Sequence, residues 1–171
     1  MKVLKKHPCY WNLWLTILIF FLFTNSSTAQ PSLPQRTLTL TATQAIHFGT
    51  VCVGSIGGTV TVDHNGTRTS SDLILLNIAP YAQPAIFEIK LCQGRNVSIS
   101  FDSSIMLNGE HGGTLTMDKI ETDKGTNGAR FTTNSDCNFI TPVRVGGTLH
   151  IPGNAIPGNY SGFMSITINQ Q

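Results

Sequence analysis

Four histidines remain once the extreme N-terminus is set aside, His47, His64, His111 and His150, and none stands at His-x-His or HExxH spacing. Metal ligation needs such groups converging, so each is read as a turn or surface residue. Asp118, Glu121 and Asp123 fall close together before Gly125. A calcium loop would place oxygen ligands at regular short intervals, and the EF-hand spacing is absent, so these acids are read as an acidic turn facing solvent. No GxSxG elbow presents a nucleophilic serine. The nine acids are scattered and mostly beside turns, which gives no paired carboxylates for glycoside hydrolysis. Neither a catalytic residue, a metal ligand nor a cofactor is expected.

Cysteine chemistry is the remaining candidate. Cys52, Cys92 and Cys137 follow the N-terminal apolar run, with no CxxC or Cys/His cluster. In an oxidising compartment, three cysteines make one bridge and one spare thiol. Cys92 and Cys137 both lie beside turn residues where two loops can meet. Strand parity places Cys52 on an inward face with Ile46 and Phe48. The expected bridge is therefore Cys92 with Cys137, leaving Cys52 as a buried thiol; Cys52 with Cys92 is the alternative. Asn65-Gly66-Thr67, Asn96-Val97-Ser98 and Asn159-Tyr160-Ser161 match the glycosylation sequon, whose physical content is surface exposure.

The oxidising compartment is inferred from the first residues. Lys2, Lys5 and Lys6 precede an almost unbroken apolar run from Leu13 to Phe23, and Ser27 and Ala29 occupy small-residue cleavage positions. The run is shorter than the roughly 20 residues a spanning helix needs. Residues 1–29 are read as a signal peptide and 30–171 as a single domain starting at Gln30, secreted to the periplasm or cell surface with no membrane span after cleavage. Cleavage removes three of eleven basic residues and none of nine acids, leaving 8 − 9 = −1. Without a basic run, the domain lacks the electrostatic footprint of nucleic-acid binding. Trp11 and Trp14 leave with the signal, and Tyr81 and Tyr160 remain as the aromatics with a polar tip.

Strands must position whatever the domain presents. Leu38, Leu40, Ala42, Ile46 and Phe48 share one parity, with Gln44 marking a bulge. The same alternation returns over Thr59–Val62, Phe87–Leu91 and Val97–Phe101. Further strands are expected at Leu73–Leu76, Thr114–Ile120, Ala129–Thr132, Val143–Ile151 and Met164–Ile168. Asn65-Gly66, Gln93-Gly94, Asn108-Gly109, Gly112-Gly113, Asn127-Gly128, Gly146-Gly147 and Pro157-Gly158 punctuate them as turns. Eight to ten short strands separated this way predict an all-β antiparallel sandwich. Residues 30–37, with Pro31 and Pro34, form an extended leader. A final strand from Tyr160 to Asn169 presents a backbone edge for pairing with another chain. Because the Leu38–Ala42 alternation runs into Phe48-Gly49 without a linker, Leu38, Leu40 and Ala42 are expected to pack into the chain's own core.

Six motifs, in order, carry a resemblance: Phe48-Gly49, Gly57-Gly58-Thr59-Val60-Thr61-Val62, Asn65-Gly66-Thr67-Arg68, Gly112-Gly113-Thr114-Leu115-Thr116-Met117, Val145-Gly146-Gly147-Thr148-Leu149 and Pro157-Gly158-Asn159-Tyr160-Ser161-Gly162. Together they resemble the bacterial family catalogued as domain of unknown function 4402, across almost the whole mature chain. More distantly, the Phe-Gly strand, the apolar strand Phe87–Cys92 and the closing strand resemble chaperone-usher pilin subunits and the spore-coat U domain. These resemblances imply an immunoglobulin-like or pilin-like sandwich from a bacterium. The expected function is a secreted or cell-surface structural or adhesive domain that acts through protein partners, with self-association through an edge strand. The alternative is a module that binds a glycan or small ligand.

Overall fold

The computed structural model describes residues 37–171 except Cys92, Gln93 and Cys137. The proposed signal peptide, most of the leader and the proposed Cys92–Cys137 bridge lie outside the described residues. Within them the chain is all β, with no helix and thirteen strands in antiparallel pairs. The order is β1 (Thr39–Gln44), β2 (Thr50–Val53), β3 (Gly58–Val62), β4 (Arg68–Ser71), β5 (Leu73–Leu76), β6 (Ala85–Lys90) and β7 (Asn96–Phe101). There follow β8 (Ile105–Gly109), β9 (Thr114–Thr122), β10 (Arg130–Thr132), β11 (Thr141–Ile151), β12 (Tyr160–Ser161) and β13 (Ile166–Gln170).

The longest strand, β11, organises the large sheet. On one edge its first half pairs β6 through Thr141–Val145 and its second half pairs β3 through Gly147–Ile151. On the other edge it pairs β9. β1 continues the sheet beyond β6, β8 and β12 beyond β9, and β4 beyond β3. The handover from β6 to β3 falls at Gly146. A side chain there would strike the Val62 carbonyl and the main chain of Asp63 and His64, so only glycine fits. β10-β7-β13 form a three-stranded sheet and β2-β5 a two-stranded one.

Period-two alternation drives one face of each strand inward. Val60 and Val62, Ile89, Val97 and Ile99, Met117, and Val143 and Val145 form the deeply buried centre of one continuous core. Leu40 of β1 and Leu38 just before it pack on this core, and β1 pairs β6 within the same chain. The expected bulge at Gln44 is present as a register shift between Ala42 and Gln44.

Four local expectations are corrected. Ala42 is exposed rather than buried. The strand expected from Tyr160 to Asn169 is two strands, because β12 ends at Ser161 against β8 whereas β13 joins the other sheet against β7. Hydrophobic alternation runs through both and carries no mark of the change of sheet. The strands β2, β4 and β8 add to those expected.

Cys52 is the fourth. It is free and exposed, not buried with Ile46 and Phe48. Gly49 adopts φ 72° and breaks the extended backbone between Phe48 and β2, so the parity of the preceding strand does not carry through. Val51 and Leu75 face each other and pack on the core, whereas Cys52 faces Ile74 on the outer side. Ile74 is 68% exposed. Iodoacetamide should therefore alkylate Cys52 in the folded protein, without denaturant, at the rate of an unhindered thiol. Protection until unfolding would contradict the outward assignment.

Candidate functional site

The outer face of the large sheet collects polar side chains in register. Ser71, Thr59, His150, Thr116 and Met106 stand in one row across β4, β3, β11, β9 and β8. Thr69, Thr61, Thr148 and Asp118 form the next row. Their sequence neighbours Val60, Leu149 and Met117 point into the core, so alternation alone assigns these residues outward. The hydroxyls of Thr61 and Thr148 lie 2.8 Å apart. Asp118 Oδ1 lies 2.8 Å from His150 Nε2, a diagonal cross-strand pair.

A bulge in β9 extends this face. The register with β11 jumps from Thr148↔Asp118 to Gly146↔Glu121, and Lys119 takes the left-handed conformation at φ 46°. Such a backbone is uncommon for a residue with a side chain. The extra residue turns Lys119 and Glu121 outward while Ile120 and Thr122 are buried. Glu121 Oε1 comes 3.5 Å from His64 Nδ1 on the β3–β4 hairpin. That contact is an ion pair whenever the imidazole is charged, but it lacks hydrogen-bond geometry, and Nδ1 is buried without a hydrogen-bond partner.

The sequence reading of Asp118, Glu121 and Asp123 as an acidic turn is corrected accordingly. Asp118 and Glu121 are strand residues, each facing a histidine, and only Asp123 lies in the following turn, where its carboxylate accepts the Arg144 N–H at 2.9 Å. His150 and Asp118 are 32 residues apart, so no spacing rule joins them. The register does. Among the described residues, no group of three or more His, Cys, Asp or Glu side chains could hold a metal ion. The face offers hydroxyl, carboxylate, imidazole and ammonium groups, which suit hydrogen bonding to a polar partner.

The hairpin beside this face is held by Asp63. Its Oδ1 accepts the N–H of Thr67 at 2.7 Å and of Asn65 at 2.9 Å, closing the turn between β3 and β4. Burial raises the Asp63 carboxyl, but the Thr67 and Asn65 donors and nearby His64 outweigh it and hold the group below its ordinary value of 3.8. A second carboxylate, Glu110, is also lowered, first by the Asn159 main-chain N–H and then by its side-chain amide, both donating to Oε1 at 3.0 Å. The three sequon asparagines Asn65, Asn96 and Asn159 are all exposed.

Apolar groups are exposed elsewhere. Phe163 is 97% exposed between β12 and β13, and Gly162 beside it abuts the Met106 and Leu107 main chain of β8. Met106, at the end of the first polar row, is 61% exposed. No helix among the described residues is long and apolar enough to cross a membrane.

These features define an all-β, antiparallel domain with one polar sheet face and exposed apolar groups at its strand ends. The family described as "Domain of unknown function (DUF4402)" matches residues 38–170, and the chain belongs to that family. No curated protein and no solved structure matches the chain significantly.

Asp63 generates a pH test. A depressed native value contributes stability that is complete above the unfolded value and is lost as pH falls through the native one, below 3.8. Asp63→Asn should lower stability by about 1 kcal/mol at pH 7, where the charged acceptor of two N–H groups is removed. The difference from the parent protein should shrink toward zero in urea titrations carried below pH 3.8. An equal difference at all pH values would assign the loss to geometry alone.

Proposed function

We propose that this chain is an exported bacterial structural or adhesive domain, an immunoglobulin-like or pilin-like sandwich at the cell surface that acts through contacts with other protein chains. The observation that carries the reading is the strand β13. It pairs only β7 among the described residues, leaving its outer edge free, and Phe163 stands exposed just before it. An unpaired edge offers main-chain donors and acceptors to an incoming strand, and an adjacent exposed aromatic supplies apolar area at the same place. The pairing of β1 with β6 within the chain supports association that adds to a self-complete fold over association that rescues an open one.

A photo-crosslinking residue at position 163, introduced into the protein in its native host, should trap a discrete protein partner. The same group at the exposed position Asp72 should trap none, and Phe163→Ser should weaken association without changing the melting temperature. The second reading, a glycan-binding module, is favoured by the two polar rows around Asp118 and His150. Glycan-induced chemical-shift changes at those rows, with no crosslinked protein from position 163, would replace the first reading with the second.

Export and the bridge belong to the same proposal. The segments next to the two cysteines are tied together by Gly94 N–H donating to the Asn134 carbonyl at 3.1 Å and Thr133 N–H to the Arg95 carbonyl at 2.9 Å. The Thr133 hydroxyl also accepts the Arg95 N–H at 3.2 Å. These contacts, and the outward position of Cys52, support Cys92 with Cys137 as the bridge. Mass spectrometry of non-reduced secreted protein should show a chain beginning at Gln30 with one linked peptide pair containing Cys92 and Cys137. Retention of residues 1–29, or Cys52 within the bridge, would reject cleavage after Ala29 or the pairing respectively.

A further inference from the structure

Residues 50–76 form one long hairpin folded back on itself. Its tip arm, β3–β4, belongs to the large sheet, and its base arm, β2–β5, stands apart as a two-stranded ribbon. The arms meet at a corner where the two strands differ in length. Val53 pairs Leu73 and Thr59 pairs Ser71, so residues 54–58 are matched by Asp72 alone, which turns at φ 61°. Surplus residues on one strand bend a hairpin and let it change sheet.

Arg68 lies in the tip arm opposite Val62, eight residues from Leu76. A straight ribbon would separate them by about 26 Å at 3.3 Å per residue. Instead Arg68 Nη1 donates to the Leu76 carbonyl at 3.0 Å and Nη2 to the Thr50 carbonyl at 2.5 Å, one on each strand of the base arm. Its Nε is buried without a hydrogen-bond partner among the described residues. Gly49, immediately before β2, makes the room. A Cβ there would lie 3.0 Å from Arg68 Cζ, on a backbone at φ 72°. Two motifs set well apart in the chain, Phe48-Gly49 and Thr67-Arg68, thus meet at one contact. The other side-chain hydrogen bond between the arms among the described residues is Ser70 Oγ to the Leu73 carbonyl at 3.1 Å.

We propose that the β2–β5 arm is a strap that opens as a unit about residues 54–57 and Asp72, and that Arg68 is the clasp holding it shut. A two-stranded ribbon is marginal by itself. This one is retained by the clasp and by Val51, Leu73 and Leu75 resting on the core, so its opening uncovers apolar surface without dismantling β11. Segments of this kind exchange through local openings below the global unfolding energy. The inference stands whether or not the chain acts at a cell surface.

Hydrogen exchange on the full secreted chain, read by mass spectrometry, tests it. In the parent protein, amides of residues 50–53 and 73–76 should share one opening rate, faster than residues 58–62 and 141–151. Arg68→Ala should accelerate the first two segments together by about tenfold or more, the scale of losing hydrogen bonds from a charged donor, and leave the other two unchanged. Arg68→Lys, a point charge without the fork that reaches both carbonyls, should fall between. Uniform acceleration, no acceleration, or separate rates for β2 and β5 would overturn the proposal. Should Arg68→Ala fail to fold, the shared rate in the parent protein and the response to Gly49→Ala decide it. Gly49→Ala displaces the guanidinium and should reproduce the selective acceleration, and its absence would overturn the clasp.

Discussion

The hydrogen-bond requirement of β11 governs the molecule. A strand with neighbours on both edges satisfies its main-chain N–H and C=O groups chiefly through them. β11 has three partner strands. Two of these, β6 and β3, succeed one another along the same edge. That succession needs the β3–β4 hairpin backbone to press against Gly146, and it brings residues from opposite ends of the sequence into one sheet. Val143, Val145 and Leu149 then supply the inward face around which the smaller sheets close.

The same requirement shapes the polar face. Once β3 and β9 flank the second half of β11, Thr61, Thr148 and Asp118 must fall in one row, and His150 must lie diagonal to Asp118. The bulge at Lys119 lets β9 keep Ile120 and Thr122 inward while turning Glu121 toward His64. The polar outer face and the core packing are thus set by one register.

A different device handles the first half of the chain. The hairpin from β2 to β5 contributes to two sheets by bending at its middle, and the cost of an incompletely paired ribbon is offset by a half-buried guanidinium that caps carbonyls on both strands. Partial burial holds the Arg68 guanidinium below its ordinary value. This arrangement gives a physical role to Phe48-Gly49 and Asn65-Gly66-Thr67-Arg68 that neither motif reveals alone.

Local alternation in the sequence determined the all-β class, most strand positions, the bulge at Gln44 and the inward set Val60, Val62, Ile89, Val97, Ile99 and Val143, because side-chain direction along a strand follows from parity. Parity failed where the backbone left the extended region. Gly49 reversed the expected face of Cys52, and nothing in the alternation from Tyr160 to Asn169 announced that the chain passes from one sheet to the other. Pairing between Asp118 and His150, between Glu121 and His64, and between Arg68 and its two carbonyls was decided by tertiary structure alone. Those contacts depend on which strands are neighbours and in what register. Register is fixed by burial across the whole sheet and not by any residue's local surroundings.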